Sequence, residues 1–144
     1  MELLPGSSSE LHMLMRPRFM FPTNAGTTWS AVACQQVVYF PRRMKFSAAE
    51  KALYISYNNV AGPYVAGNGN VYRYATNGTW KDITLAWQVA SSLTFGYGGL
   101  ALDAKNSGTL IVASDNLWCP DVQVFRSTDS VRYDSIFDGV RLTT

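Results

Sequence analysis

Short apolar or alternating runs, separated by polar turns, dominate the chain from about residue 50 onward. Four runs predict β-strands, namely Leu53–Tyr57, Val71–Tyr74, Leu110–Ala113 and Val122–Phe125. The best helical stretch, Ser47–Ala52, is shorter than a usual helix and continues directly into a predicted strand. Gly, Asn, Pro and Ser between the runs favour tight connections. The pattern therefore predicts an all-β fold.

The predicted strands repeat along the chain at a nearly constant spacing. The matched segments are Val71–Arg73 with Val124–Arg126 at a spacing of 53, Leu53–Ile55 with Leu110–Val112 at 57, and Met44–Ser47 with Leu100–Asp103 at 56. Each unit reads as strand, short turn, strand, variable loop, strand, polar turn and a final strand that carries tryptophan. Such periods are typical of β-propeller blades, so we expect a partial propeller of about two to three four-stranded blades.

A polar turn motif recurs ahead of the tryptophans. Residues 23–29 follow the Asp-box scheme of Ser/Thr, Asp, any residue, Gly, any residue, Thr and Trp, with Asn in the acidic position. Residues 76–80 form a shortened copy, and a third copy begins at Ser127–Asp129 but lacks the later Gly, Thr and Trp. The short acceptor binds amides of its own turn, Gly permits positive φ, and Trp packs between layers. The motifs are therefore expected to fix blades rather than to contact a ligand.

Composition narrows the classes of function. The 144 residues are 47% hydrophobic and 15% charged, with a formal net charge of +2. This charge is too small for a nucleic-acid surface, and the apolar runs are too short for a membrane-spanning helix. The single histidine, His12, excludes a multi-histidine metal centre and argues against a nucleophile–histidine pair in the body of the chain, so neither metal nor cofactor is expected. Hydrolytic chemistry would have to rest on carboxylates.

The cysteines and the N-terminal stretch give no sign of export. Cys34 and Cys119 are expected to be two unpaired thiols. Glu2 stands where a secretory peptide carries positive charge, and Pro5, Glu10 and Arg16 interrupt the apolar stretches that follow. No signal peptide is therefore expected in this sequence.

Five segments, at 24–32, 52–64, 68–84, 95–103 and 117–129, resemble glycoside hydrolase family 74 in their order and spacing. The most specific of them are the Gly-Pro-Tyr loop at 62–64, GYGGLALD at 96–103 and the Trp-x-Pro-Asp loop at 118–121. The family comprises xyloglucan-degrading enzymes, including reducing-end-specific cellobiohydrolases. The chain looks like an interior piece of the first propeller of such an enzyme.

The resemblance implies two seven-bladed propellers with the polysaccharide in the cleft between them, and hydrolysis of β-1,4-glucan with inversion. Inversion needs one Asp as base and another as acid, far enough apart to admit a water molecule. The family's base lies in an Arg-Thr-Asp-Gly-type motif and its acid lies in the second propeller, and neither motif is found here. Asp129, in RSTDS, has the register of an Asp-box turn. The chain alone is therefore expected to be inactive.

The resemblance also sets the predicted domain boundaries. Residues 23–129 are expected to form the partial propeller, with an atypical N-terminal segment at 1–22 and an atypical C-terminal tail at 130–144, because both ends depart from the family pattern. By family, the protein would be extracellular. Asn77, Gly78 and Thr79 form a glycosylation sequon that matters only in a secreted protein.

Two insertions, Asn58–Asn70 and Ser114–Asp121, join second to third strands, where propeller loops open on the ligand-binding face. The candidate substrate-binding residues are Tyr57, Tyr64, Trp118 and Asp121. Glucan rings stack their C–H faces on aromatic rings, and carboxylates accept from sugar hydroxyls. Loop packing is the alternative for Tyr64 and Trp118, and a loop-fixing hydrogen bond is the alternative for Asp121. Tyr97, Arg73 and Arg126 are expected to be structural.

Two hypotheses follow for the chain as a whole. The first is a piece of an inverting xyloglucan or β-glucan hydrolase, whose partner is the polysaccharide. The second is a non-catalytic carbohydrate-binding or structural propeller piece, because Asp-box turns identify an architecture and not a reaction. An open stack of blades also exposes strand edges and sheet faces, so self-association is expected in either case.

Overall fold

The structure is a computed structural model of the 144-residue chain. It describes residues 2–3, 11–15, 18–23, 27–33, 39–59, 67–85, 95–115, 123–130 and 132–138.

Twelve strands occur in the described residues. In chain order they are β1 Glu2–Leu3, β2 Leu11–Met15, β3 Arg18–Thr23, β4 Thr28–Ala31, β5 Phe40–Ser47, β6 Ala52–Asn58, β7 Gly69–Ala75, β8 Trp80–Asp82, β9 Gly96–Leu102, β10 Leu110–Asp115, β11 Gln123–Ser127 and β12 Asp134–Asp138. Four consecutive strands form each sheet: β1–β4 form sheet 1, β5–β8 form sheet 2 and β9–β12 form sheet 3.

Each sheet is an antiparallel meander in which strands adjacent in sequence are paired. Sheet 2 lies between the other two, because β5 contacts β2 and β3 on one side while β9 contacts β5, β6 and β7 on the other. Consecutive four-stranded meanders that face one another are the arrangement of neighbouring propeller blades. The predicted all-β partial propeller is confirmed, and its three four-stranded sheets lie within the predicted two to three blades.

No helix capable of spanning a membrane is found among the described residues. The same residues contain no group of three or more His, Cys, Asp or Glu side chains that could hold a metal ion.

Strand β6 shows how the sequence places two cores on opposite faces of sheet 2. All seven of its residues are buried. Side chains alternate along a strand, so Leu53, Ile55 and Tyr57 enter one apolar cluster while Ala52 and Tyr54 enter the other. A continuous buried run is expected of a strand that is covered on both faces.

The two clusters correspond to the two interfaces between sheets. The core between sheets 2 and 3 consists of Ala52, Tyr54, Val71, Ile83, Leu85, Phe95, Tyr97, Leu100, Leu110, Val112 and Phe125. The core between sheets 1 and 2 consists of Val32, Met44, Leu53, Ile55 and Tyr57, with Tyr39, Phe46, Tyr72, Tyr74 and Trp80 partly buried around it. Tyr97 is fully buried in the first core, which confirms its predicted packing role.

The four strands predicted from the apolar runs form as parts of β6, β7, β10 and β11, the last of them over the described residues 123–125 of the predicted run 122–125. The weak helical stretch Ser47–Ala52 contains a turn at residues 48–51, where Lys51 has a positive φ of 47°. Strands β1 and β2 and most of β3 lie in the predicted N-terminal segment 1–22, and β12 lies in the predicted C-terminal tail 130–144.

The polar turn motif connects the third strand to the fourth in every sheet. In sheet 2, the Thr79 N–H donates to Asn77 Oδ1 at 3.1 Å, and Gly78 has a φ of 89° that a side chain would disfavour. The Trp80 indole N–H donates to the carbonyl of Ala33 at 2.9 Å, beyond the end of sheet 1. The motif therefore fixes its own turn and joins two sheets.

The third copy of the motif uses its carboxylate in the same way. The N–H of Arg132 donates to Asp129 Oδ1 at 2.8 Å, and Ser127 Oγ lies 3.2 Å from the same oxygen. Asp129 thus caps its own turn, as its register predicts.

Candidate functional site

The two insertions singled out in the sequence begin at the same end of neighbouring sheets. One follows β6, which ends at Asn58, and the other follows β10, which ends at Asp115. These end residues touch, because Asn58 Nδ2 donates to Asp115 Oδ2 at 2.8 Å. The bases of the two insertions are therefore held together.

Asn58 makes a second bond into sheet 3. Its Oδ1 accepts the backbone N–H of Tyr97 at 2.6 Å, and the side chain is only 1% exposed. A buried amide whose donor and acceptor are both satisfied fixes a single side-chain orientation. Asn58 thus ties β6 to both β9 and β10.

Asp115 lies beside a cation. Arg42 Nε is 3.8 Å from Asp115 Oδ2, with the two side chains 35% and 26% exposed. That Nε is itself buried and makes no hydrogen bond within the described part of the chain. Arg42, Asn58 and Asp115 are together called the strand-end cluster. It presents a fixed, partly exposed carboxylate, a group that accepts hydrogen bonds from hydroxyls.

Glycines allow the strands to approach closely at this end. A Cβ added to Gly69 would lie 2.9 Å from Gly96 Cα and would collide with the carbonyl oxygen of Tyr57. A Cβ added to Gly98 would lie 3.0 Å from Asp115 Cβ and Cγ. A larger residue at either position would push sheet 2 away from sheet 3 or displace Asp115.

The structure places Tyr57 in the core rather than in a cleft. It is 0% exposed, and its ring meets the edge of Tyr72 at a centroid distance of 5.8 Å and an angle of 89°. Burial raises the pKa of its hydroxyl well above the usual value. A ring with no exposed surface has no face to offer a sugar, so Tyr57 is a core residue in this structure and not a stacking platform.

Replacing Tyr57 by phenylalanine is expected to raise the free energy of unfolding by about 1 kcal/mol, because a buried hydroxyl without a partner is costly. Among the described residues, Tyr57 Oη is buried and makes no hydrogen bond. Tyr133→Phe is the matched control, since the Tyr133 hydroxyl donates to the carbonyl of Ile83 at 2.8 Å and its loss should destabilise the fold. Urea unfolding of the three proteins measures both effects, and a less stable Tyr57→Phe protein would contradict the assignment.

The other three candidates, Tyr64, Trp118 and Asp121, lie outside the described residues, as do Cys34 and Cys119. Their predicted roles stay predictions. The described ends of the insertions, Asn58, Asn59 and Asp115, nevertheless show where each loop leaves its sheet.

A polar network ties sheets 2 and 3 together around Glu50. Glu50 Oε2 accepts from the Tyr54 hydroxyl at 2.7 Å and from the Gly108 N–H at 3.2 Å. Its Oε1 is 3.6 Å from Arg73 Nε, and Ser130 Oγ donates to the Gly108 carbonyl at 3.1 Å. Burial is the main reason that the pKa of Tyr54 is raised. The ion pair with Glu50 gives Arg73 the structural role predicted for it.

The strand-end cluster is not predicted from the sequence, although the repeat spacing contains a signal for two of its residues. Asn58 and Asp115 are separated by 57 residues, the same spacing that relates Leu53 to Leu110. They are therefore equivalent positions of the repeat, each a polar residue that ends a strand before a long insertion. Which of the chain's other polar residues reach them could only be read from the structure.

Known proteins are similar to the chain in sequence and in architecture. The chain is 56% identical over 109 residues to a xyloglucanase of Hypocrea jecorina and 43% identical over 108 residues to a xyloglucanase of a Paenibacillus species. A crystal structure of the Niastella koreensis GH74 enzyme matches 92% of the chain with a TM-score of 0.74 at 24% sequence identity. No family model matches the chain.

The fold and its structural match define the class of protein, a stack of consecutive β-propeller blades. The sequence identities define the relationship more closely than the fold does. The chain is homologous to one segment of the xyloglucanases of glycoside hydrolase family 74. The matches cover 75% and 74% of the chain but only 13% and 10% of these two relatives. The match to the Niastella koreensis enzyme covers 20% of that protein.

Proposed function

We propose that the chain forms part of the polysaccharide-binding side of an inverting xyloglucan hydrolase. The observation that carries the proposal is the Asn58–Asp115 hydrogen bond, which holds the bases of two neighbouring insertions together at 2.8 Å. Loops anchored in this way can present aromatic rings at a fixed separation to successive sugar rings of one chain. The similarity to xyloglucanases supplies the class of polysaccharide.

In this proposal the chain corresponds to an interior part of the first of two seven-bladed propellers, and its polar turns are Asp boxes. Both catalytic carboxylates lie elsewhere in the whole enzyme, so the isolated chain binds substrate without cleaving it. Asp129 supports this division of roles, because its Oδ1 accepts the Arg132 N–H within its own turn. The whole enzyme would act outside the cell, where a polymer of this size is found.

Within the site, Tyr64 and Trp118 provide the stacking faces and Asp121 accepts a sugar hydroxyl. Asp115 provides a second fixed carboxylate at the base of the same loops. The Asn58 amide donates a hydrogen bond to the Asp115 carboxylate, and the Arg42 guanidinium lies beside it. These two interactions hold the carboxylate in position when no sugar is bound.

Retention on immobilised xyloglucan, measured together with reducing-sugar release, tests the proposal. The chain is expected to be retained without releasing sugar. Replacing both Tyr64 and Trp118 by alanine is expected to weaken binding about tenfold or more, because each loses a stacking contact worth roughly 1 kcal/mol. The matched control replaces both by phenylalanine, which keeps two aromatic faces and should retain most of the affinity.

Any other result of the retention and sugar-release measurements would contradict part of the proposal. Sugar release would mean that a catalytic pair lies within this chain. Absence of retention would favour the alternative, a structural propeller piece without a binding site. Equal binding by the alanine and phenylalanine proteins would remove Tyr64 and Trp118 from the site.

We also propose that the chain associates with itself. The last strand of each sheet, β4, β8 or β12, lies at a sheet edge, and among the described residues the sheet contacts are those of sheet 2 with sheets 1 and 3. Unpaired edges and uncovered faces of this kind favour contacts between molecules.

A further inference from the structure

The polar turn of sheet 2 contains a motif that the proposed function does not use. Asn77, Gly78 and Thr79 form the single glycosylation sequon of the sequence. They lie in the turn between β7 and β8, and all three residues are exposed. Sheet 2 has sheets 1 and 3 on either side. The turn is therefore exposed with both neighbouring sheets in place.

The turn uses the oxygen of the Asn77 amide and has open space beside it. Asn77 Oδ1 accepts the Thr79 N–H at 3.1 Å. The backbone closes the same turn, because the Gly78 N–H donates to the Ala75 carbonyl and the Ala75 N–H donates to the Thr79 carbonyl, each at 2.9 Å. A Cβ added to Gly78 would meet no heavy atom within 4 Å beyond those of its chain neighbours. The surroundings of Asn77 therefore have room for a bulky substituent.

N-glycosylation modifies the other atom of this amide. The nitrogen Nδ2 forms a bond to the anomeric carbon of an oligosaccharide that is carried on a lipid pyrophosphate. The bond between that carbon and the pyrophosphate oxygen breaks, and one amide proton is lost to a base of the transferase. The glycosylated amide keeps its carbonyl oxygen, which is the atom that accepts the Thr79 N–H. The modified residue can therefore keep the same turn.

The turn lies at the end of sheet 2 opposite the strand-end cluster. Strands β6 and β7 pair antiparallel from Asn58 with Gly69 to Ala52 with Ala75, so β7 leads away from the cluster and into the turn. A strand of seven residues spans about 20 Å. A hydrophilic glycan at Asn77 would therefore project into solvent and leave the proposed binding side open.

We propose that Asn77 carries an N-linked glycan in the exported protein and still caps its turn through Oδ1. The inference rests on the proposed function in one respect, since a glycan is transferred only to a protein that enters the secretory pathway. The related turn motifs that begin at Thr23 and Ser127 contain no sequon, so the glycan marks one turn of the repeat.

Thr79→Ala and Thr79→Ser are matched variants for the test. Both keep the backbone N–H at position 79 that donates to Asn77 Oδ1, but only serine keeps the hydroxyl that the sequon requires. The full chain and both variants are exported from a eukaryotic host behind an added signal peptide, and the total protein is treated with peptide-N-glycosidase. We expect one glycan on the unchanged chain and on Thr79→Ser, and none on Thr79→Ala.

Gel mobility and peptide mass spectrometry read the result, because the enzyme removes the glycan and converts the asparagine that carried it to aspartate. An unchanged chain without a glycan would overturn the site, and so would equal modification of Thr79→Ala. The added signal peptide supplies export, so the result does not depend on polysaccharide binding. A glycosylated chain that is not retained on xyloglucan would contradict the proposed function and support the glycosylation site.

The same chain made in a bacterium that lacks N-glycosylation tests whether the turn is kept. Thermal unfolding followed by circular dichroism compares the two preparations. The glycosylated chain is expected to have an unfolding midpoint no lower than that of the bacterial chain. A midpoint lower by about 4 °C or more, the shift expected when one hydrogen bond is lost in a chain of this size, would overturn the retained cap.

Discussion

Replacing Asn58 by leucine is expected to lower the free energy of unfolding by about 3 kcal/mol, which for a chain of this size moves the unfolding midpoint by about 10 °C. Leucine has the same branched shape as asparagine but cannot hydrogen-bond. It leaves the Tyr97 N–H without its acceptor and the Asp115 carboxylate without the amide that donates to it at 2.8 Å. Because Asn58 is 1% exposed, water cannot readily replace either bond.

Asp115→Asn is the matched control for this prediction. An asparagine at 115 keeps an oxygen that can accept from Asn58 Nδ2 and gives up only the 3.8 Å ion pair with Arg42. That pair is partly exposed, so its loss is expected to cost less than about 1 kcal/mol. Differential scanning calorimetry of the three proteins makes the comparison. Equal midpoints for Asn58→Leu and Asp115→Asn would show that the bridge between the sheets adds no stability.

Replacing Trp80 by alanine is expected to destabilise the chain by about 3 kcal/mol, in the lower part of the range for large aromatic residues because Trp80 is only partly buried. The indole ring lies 4.6 Å from the ring of Tyr74 and 6.2 Å from that of Tyr72, measured between centroids. Its N–H also donates to the carbonyl of Ala33, so the change removes both packing and a link to sheet 1.

Trp80→Phe separates these two contributions. Phenylalanine keeps an aromatic ring against Tyr72 and Tyr74 and removes the 2.9 Å hydrogen bond to Ala33. A loss of about 1 kcal/mol is therefore expected for this protein. Urea unfolding followed by circular dichroism can rank the series. A Trp80→Ala protein as stable as Trp80→Phe would mean that the ring contributes little to the interface between sheets 1 and 2.

The strands could be predicted because their signal is local. Leu53–Tyr57 and Leu110–Ala113 are short apolar runs bounded by turn residues, and the repeat between them reveals equivalent strands in successive sheets. Asn77 and Gly78 likewise encode their turn through one acceptor oxygen and one positive φ. Such features need only a few neighbouring residues, so they can be read along the chain.

The roles of the candidate substrate-binding residues are harder to predict, because their surroundings are formed by strands that are distant in the sequence. Tyr57 looked like a stacking ring beside an insertion, yet it faces the core between sheets 1 and 2. An apolar run buried on both faces has no polar alternation that would show which side each residue takes. The direction of Tyr57 was therefore decided by the packing of the two flanking sheets.

The sequence by itself determined the all-β fold, the four-strand repeat, the polar turn after each third strand and the similarity to xyloglucanases. Only the tertiary structure decided that Asn58 meets Asp115 across two sheets and that Tyr57 faces the core between sheets 1 and 2. Backbone conformation depends on neighbours along the chain. Burial and hydrogen-bond partners depend on which sheet lies alongside, and that is set by the packing of all the sheets together.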